Sequence, residues 1–339
     1  MIRPISNPPN PYLTSFVDWI DSPPQLALQV FEERAKTIIS ENESPDVGFR
    51  FSINPYRGCF HACAYCYARR THQYLDFGAG SDFDSKIVVK INASELLQKR
   101  FETDSWNGDR IIFSGVTDCY QPLEASYEIT RGCLAICARY RNPIGIITKG
   151  ALIRRDIDLL QELTQDSACW VAMSIAFLDD QMSLKLEPHA PRPSTRLRAL
   201  EALSKSGIHT GLALAPVIPG LNDTQIPELL RRAAEAGARF AFMTLLRLPG
   251  EVEPVFLERL QQNLPERAEK IRNSLRSMKG GALNQTEFGR RMGGSGERWE
   301  AIRWMFHNNC SKLQMRSEPV AAENGNSSFR RPKEQLSLF

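Results

Sequence analysis

The chain has no apolar stretch long enough to cross a membrane. Its longest apolar run, around Gly211 to Leu221, is short and broken by Pro216 and Pro219. No apolar h-region follows Met1-Ile-Arg-Pro, so no secretory signal is expected. Cysteine is sparse, with eight in 339 residues, too few without an export signal for a disulfide framework. Charge of one sign is also scarce. A net charge of +3 does not by itself argue for nucleic acid, although the basic residues are unevenly placed. Internal repeats are absent. The chain is 42% apolar and 24% charged, as in a globular protein. Its length suits one large α/β domain with extensions, or two ordinary domains. The expected compartment is a reducing cytoplasm, with no membrane partner.

Three of the cysteines stand together in Cys59-Phe-His-Ala-Cys63-Ala-Tyr-Cys66, spaced C-x3-C-x2-C. A [4Fe–4S] cluster is ordinarily held by four thiolates. Three thiolates from one tight loop leave one iron with an open position. That is what reductive cleavage of S-adenosylmethionine for radical chemistry requires. Other readings stay open. A structural zinc site would need four ligands, which His61 or His72 would complete, but no second ligand pair lies downstream. Cys133 and Cys137, one helical turn apart in an apolar stretch, read as buried filler. Cys119, Cys169 and Cys310 are too scattered to suggest a second cluster.

Residues 1–46 are rich in Pro, Asn and Ser, with a helical patch over Gln25–Ile39, and read as an N-terminal extension. Over residues 47–254, short β-branched or apolar runs alternate with amphipathic helical stretches. The runs are Arg50–Tyr56, Arg110–Ser114, Ile144–Thr148, Trp170–Ile175, Thr210–Pro216 and Arg239–Leu245, with Ser85–Lys90 as an additional strand. The helical stretches are Ala93–Phe101, Tyr127–Tyr140, Asp156–Gln165, Pro193–Ser206 and Ile226–Glu235. This alternation predicts parallel strands with right-handed crossovers, and six units fit an incomplete (β/α)6 barrel. Functional residues then gather at the C-terminal strand ends. The cysteine loop, Ser114–Asp118, Thr148-Lys149, Ser174 and the Pro216–Pro219 turn all fall there. Residues 255–312 read as one or two helices over Phe256–Lys279, a Gly/Arg-rich loop from Gly280 to Glu297, and a last helix Arg298–His307. Residues 313–339 are polar and read as a disordered tail.

The cysteine loop, its place after the first strand and the six βα units resemble the radical S-adenosylmethionine superfamily. Within it, Asn54-Pro-Tyr-Arg-Gly-Cys59, Cys66-Tyr-Ala-Arg69, Thr117–Glu124, Thr148-Lys149, Glu187-Pro and Ala215–Asp223 are similar to the branch related to spore photoproduct lyase, often labelled DNA repair photolyase-like. The resemblance covers roughly Asp46 to Phe306. It implies a [4Fe–4S] cluster on Cys59, Cys63 and Cys66, with S-adenosylmethionine as second cofactor. It further implies that Tyr65 packs near the adenine and that the Ser114–Asp118 loop, with Ser114, Gly115 and Thr117, meets the methionine amino group. Lys149 and Ser174 would touch the carboxylate and ribose, and Ala215 the adenine. Glu187 and Arg198 read as a structural ion pair, Trp170 and Phe240 as core. The lyase is understood to take its hydrogen donor from a cysteine just ahead of this Ser-Asp segment. This chain has Gly115 or Val116 there, and Cys119 just after Asp118. Facing the barrel mouth Cys119 would be the donor; facing away it would not.

The chain ends Gln335-Leu-Ser-Leu-Phe339, after the basic stretch Phe329–Lys333. The pentapeptide resembles the motif by which bacterial polymerases and repair proteins dock on the DNA sliding clamp, with Gln335, Leu336, Leu338 and Phe339 as anchors. Arg290, Arg291 and Arg298 would touch phosphate or form a solvated loop. The expectation is a radical enzyme served by an electron donor such as flavodoxin or ferredoxin, with DNA or a damaged base as substrate class. A peptide, RNA or small-molecule substrate, or a non-catalytic iron–sulfur adaptor on the clamp, are the alternatives.

Overall fold

A computed structural model describes residues 28–317 and 327–332. In chain order the strands are β1 (Gln29–Glu33), β2 (Ile39–Glu41), β3 (Phe51–Ile53), β4 (Tyr56–Arg57), β5 (Lys86–Lys90), β6 (Ile111–Phe113), β7 (Ile144–Thr148), β8 (Cys169–Ser174), β9 (His209–Val217) and β10 (Phe240–Leu245). The main sheet runs β10-β9-β8-β7-β6-β3-β2. Its neighbours from β3 through β10 pair in parallel, and β2 pairs antiparallel to β3 at the edge. Helices Ala93–Glu102, Ile129–Arg139, Ile157–Asp166, Pro193–Lys205 and Ile226–Glu235 form the crossovers. This is the alternating α/β architecture of a partial barrel. β8 is buried at every position, as a parallel strand covered on both faces must be.

The period-two alternation of the strands sorts their residues into two faces. Ile112, Trp170, Ala172, Ala213 and Phe240 share the inner face, with Ile147 and Phe242 against them. Trp170 and Phe240 cross edge-to-face at 5.7 Å and plug the N-terminal end of this face. Room for their rings comes from two glycines: a Cβ at Gly145 would lie 2.3 Å from Trp170, and one at Gly211 2.3 Å from Phe240. Both aromatic residues are core, as expected. Following the same inner face toward the C-terminal ends leads to small and polar residues, Ser174 on β8 and Ala215 on β9. The other face packs on the helices. On Ile226–Glu235, for example, Ile226, Leu229, Leu230 and Ala233 are buried, one stripe at helical spacing.

Three expectations are corrected. The Gln25–Ile39 helical patch contains strands instead: Val30 and Phe31 suit a strand, and β1 finds a parallel partner in β5, with Val30 opposite Ile87 and Phe31 opposite Val88. Arg50–Tyr56 is not one strand. Pro55 lacks the N–H to continue the ladder, and after it β4 leaves to pair antiparallel with β5 in a separate sheet, β1-β5-β4. The tail is ordered over residues 327–332: Phe329 packs on Phe101 and Tyr140, and Arg331 donates to the carbonyls of Phe101, Thr103 and Trp106. Beyond β10, helices Val252–Asn263 and Pro265–Met278 are divided at Pro265, and Glu297–Lys312 follows the Gly/Arg-rich loop. No helix among the described residues is long and apolar enough to cross a membrane. The clamp-docking residues Gln335, Leu336, Leu338 and Phe339 lie outside the described residues.

Candidate cofactor site at the open end of the barrel

The cysteine loop leaves β4 through Gly58, whose φ of +75° suits glycine and whose Cβ position lies 2.8 Å from the Lys86 carbonyl. The Cys59 N–H donates to Phe83 O at 2.9 Å, and the Ala62 and Cys66 N–H groups donate to Cys59 O and Cys63 O. Two arginines hold the loop from behind. Arg69, fully buried, donates to the carbonyls of Cys63, Ala79 and Gly80 and pairs with Asp84 at 2.8 Å. Arg259, from the helix Val252–Asn263, donates to Ala62 O at 2.8 Å and pairs with the same Asp84. With its carbonyls engaged outward, the loop is fixed without help from a ligand.

Cys59 and Cys63 are buried, and Cys66 is half-buried. Burial pushes all three thiols up, Cys63 to about 12, and neighbouring thiols push Cys59 and Cys63 further. Loading a metal centre would therefore displace their protons. Among the described residues no three His, Cys, Asp or Glu side chains converge closely enough for one ion. A mononuclear zinc site on these cysteines with His61 or His72 is thus not assembled. His72 is buried between Phe77 and Phe83, and His61 Nδ1 lies 3.4 Å from Asp118 Oδ2. Three thiols on one pinned loop are the donor set of a cluster with one open iron, and they fit that group.

The other C-terminal strand ends converge beside this loop. Lys149 Nζ donates to Ser174 Oγ at 2.9 Å and sits 5.7 Å from the centre of the Tyr65 ring. Ser174 Oγ in turn lies 3.4 Å from the Ala215 carbonyl. Tyr65, Lys149, Ser174 and Ala215 therefore form one continuous set. Asp118 orients it from below, accepting from the Thr148 hydroxyl at 2.5 Å and the Lys149 N–H at 2.7 Å. Hydrogen bonds and His61 hold its carboxyl well below the usual range despite burial. Ser114 has left-handed backbone, φ +72°, and accepts the Cys119 N–H at 2.9 Å. Gly115 O takes the Tyr67 hydroxyl at 2.6 Å, which links this loop to the residue after Cys66. Thr117 turns aside, its hydroxyl donating to Tyr56 O at 2.9 Å. Cys119 is fully buried, and the Thr130 hydroxyl bonds its carbonyl.

The geometry also re-pairs the charges. Glu187, fully buried, accepts from Tyr65 and Arg196 and from Ser183 Oγ at 2.9 Å, with Lys149 at 4.0 Å. Its partner is Arg196, not Arg198. Two positions apart on a helix point to different faces, and Arg198 donates to neighbouring Thr195. Arg290, Arg291 and Arg298 do not form one cluster: they pair with Glu287, Asp46 and Asp223 respectively. The roles of Arg69, Asp84 and Arg259 were not legible in the sequence, since only the fold brings position 259 beside position 62.

Comparison with known proteins agrees with this arrangement. The Radical SAM superfamily profile matches residues 53–233. An uncharacterized protein of Mycobacterium bovis is 36% identical over 230 residues, covering 67% of this chain and 68% of that protein. An uncharacterized protein of Methanocaldococcus jannaschii is 30% identical over 246 residues, covering 73% of this chain and 88% of that protein. A Pseudomonas phage M6 protein described as a radical SAM Nalpha-GlyT isomerase is 24% identical over 231 residues, covering 67% of this chain and 46% of that one. Among solved structures, a spore photoproduct lyase double mutant with bound AdoMet and dinucleoside spore photoproduct superposes with a TM-score of 0.63 at 16% identity, covering 90% of this chain and 88% of that one. Members of the superfamily use a [4Fe–4S] cluster and S-adenosylmethionine. On the profile match and the archaeal and mycobacterial relatives, the chain belongs to the radical SAM superfamily.

Proposed function

We propose that this chain is a radical enzyme acting on DNA, in repair or processing of a base, with Cys59, Cys63 and Cys66 as the cluster ligands. When bound, the cluster and S-adenosylmethionine supply a 5′-deoxyadenosyl radical that abstracts hydrogen from the substrate. The chain's own residues bind and orient. Lys149 offers an ammonium and Ser174 a hydroxyl, 2.9 Å apart, where a carboxylate and a ribose would be met. Ser114, Gly115 and Thr117 shape the loop facing an amino group, and the Ala215 carbonyl and Tyr65 flank an adenine. The plugged N-terminal end of the barrel excludes water from that side. The observation that carries the reading is the convergence of the pinned three-thiol loop with Lys149 and Ser174 on one open strand-end face. DNA as substrate is supported by the ligand bound in the spore photoproduct lyase structure, a dinucleoside spore photoproduct. Electrons would come from a flavodoxin or ferredoxin.

The test is anaerobic reconstitution, reduction with dithionite and assay of 5′-deoxyadenosine. Changing Cys59, Cys63 and Cys66 together to Ala is expected to abolish both iron loading and product; retention of either would sink the proposal. Recruitment to the DNA sliding clamp through Gln335, Leu336, Leu338 and Phe339 belongs to the same proposal on sequence grounds. A tether of this kind would raise the local concentration of DNA without a new catalytic contact. Deleting residues 335–339 should abolish binding to purified clamp and leave 5′-deoxyadenosine formation unchanged. Undiminished clamp binding would remove that part.

A further inference from the structure

Arg247 stands just past the C-terminal end of β10, outside the set formed by Tyr65, Lys149, Ser174 and Ala215. It is half-buried, and its Nε is sealed from solvent without a hydrogen-bond partner among the described residues. Its Nη1 reaches the sulfur of Met292, at 3.1 Å. Among the described residues it makes no ion pair. Lys279, buried beside it, donates among the described residues only to the Arg291 carbonyl, at 3.0 Å. Arg291 itself is held by Asp46 and Ser44. Arg291 and Arg247 thus share one carboxylate, Asp46, which also takes the Gly289 N–H at 2.6 Å, and Lys279 adds its charge beside Arg247. Burial and the neighbouring cations push Arg247 and Lys279 down, Lys279 to about 8. A surplus of positive charge held half out of water is costly unless an anion joins it.

Its place in the fold says where that anion comes from. β10 and β2 are opposite edges of the main sheet. The Gly/Arg-rich loop binds the β10 edge through Leu245 N–H to Met292 O, at 3.1 Å, and the β2–β3 connection through Asp46. It therefore bridges the opening between those edges, and Arg247 lies there near enough to Tyr67 to act on its hydroxyl. Tyr67, next to Cys66, is 51% exposed, and Phe288 on the loop is 58% exposed. The Arg291 guanidinium covers one face of the Phe288 ring at 4.2 Å. Aromatic faces among cations are the means by which single-stranded nucleic acid is held: rings stack on bases, and guanidinium forks take phosphate oxygens.

We infer that Arg247, supported by Lys279 and Arg291, is a binding site for a backbone phosphodiester of the nucleic-acid substrate, with Tyr67 and Phe288 as stacking faces for adjoining bases. This rests on the DNA reading above. It goes further in naming the surface that holds the strand at the barrel opening.

The test uses the full, cluster-loaded chain under anaerobic conditions and a fluorescein-labelled single-stranded thymidine oligonucleotide followed by anisotropy. Arg247→Ala is expected to weaken binding roughly tenfold, as loss of a charged hydrogen-bonding partner does. It should also lower the log–log salt slope by about 0.7, one phosphate contact to a single strand. Arg247→Lys keeps the charge but loses the fork, so it should keep the slope and lose part of the affinity. It also serves if the Ala chain does not fold. Phe288→Ala should weaken binding with the slope unchanged. If wild type binds the oligonucleotide and both Arg247 variants match it in affinity and slope, this site is wrong and the DNA reading stands. If wild type binds no oligonucleotide but binds a glutamate-rich peptide through Arg247, the DNA reading falls and the site is one for carboxylates. An equal loss of S-adenosylmethionine binding in Arg247→Ala would also overturn the inference, by returning the residue to the cofactor site.

Discussion

Glu187 and Arg196 are both fully buried, and their pair is the joint between the cysteine loop and the fourth βα unit. Arg196 also donates to the Ser174 carbonyl at 3.0 Å, so the pair touches the Lys149–Ser174 contact from one side and Tyr65 from the other. A buried pair adds little net stability over an apolar substitute, but breaking it strands a charge. Arg196 and Lys149 hold the Glu187 carboxyl down to about 2 against the opposing effect of burial. Glu187→Gln keeps the shape and most hydrogen bonds yet leaves Arg196 uncompensated. It is expected to cost about 3–5 kcal/mol in denaturant unfolding. Tyr65→Phe removes one hydrogen bond to an intact pair and should cost about 1 kcal/mol. Equal losses in the two variants would mean that the Tyr65 hydroxyl, not the ion pair, makes the joint.

At the scale of elements, what was legible in the sequence depended on whether partners were local. Ile144–Thr148 and Ile226–Glu235 form as read, because a short β-branched run and a stripe at helical spacing each carry their own period. The cysteine loop was legible for the same reason: its three cysteines lie within eight positions, Cys59 to Cys66. Wherever the deciding partner was distant, the reading failed. The residues of β1 become a strand only because β5, more than fifty positions later, supplies a parallel edge. Ser327–Pro332 looked like featureless tail, yet Phe329 enters a site formed by Phe101, Tyr140 and the close approach of Gly108. One aromatic residue, one arginine and the hydroxyls of Ser327 and Ser328, which donate to the carbonyls of Gly108 and Arg141, hold that segment, and composition averages over them. The site divided in the same way. Strand ends placed Lys149, Ser174 and Ala215 together, whereas Arg259 behind the cysteine loop and Arg247 at its opening depended on helices and loops that join late in the chain.

Acid stability belongs to the whole molecule, because unfolding returns every group to its ordinary titration. Alongside His209, which burial also pushes down, His72 acts in the first part of that response. It lies between Phe77 and Phe83 with no exposed surface and with neither ring nitrogen in a well-aligned hydrogen bond. Burial pushes it down to about 4, with Asp82 opposing. Between an ordinary value of about 6.5 and that value, the unfolded chain holds a proton that the folded chain refuses. Stability therefore falls as pH falls through this window, by on the order of 3 kcal/mol in full. Glu187 acts next and in the same direction. Its folded value is about 2 against an ordinary 4.5, so the unfolded chain gains a proton first as pH drops below 4.5. The two losses are separable because His72 begins two pH units earlier, at 6.5 against 4.5. Urea unfolding between pH 7 and pH 5 should show declining stability in wild type and a much shallower decline in His72→Leu. The absolute stability of the variant is immaterial, since only the slope reports the proton. A His72→Leu chain with the wild-type slope would mean that the ring is already charged in the folded protein, with Asp82 as its partner.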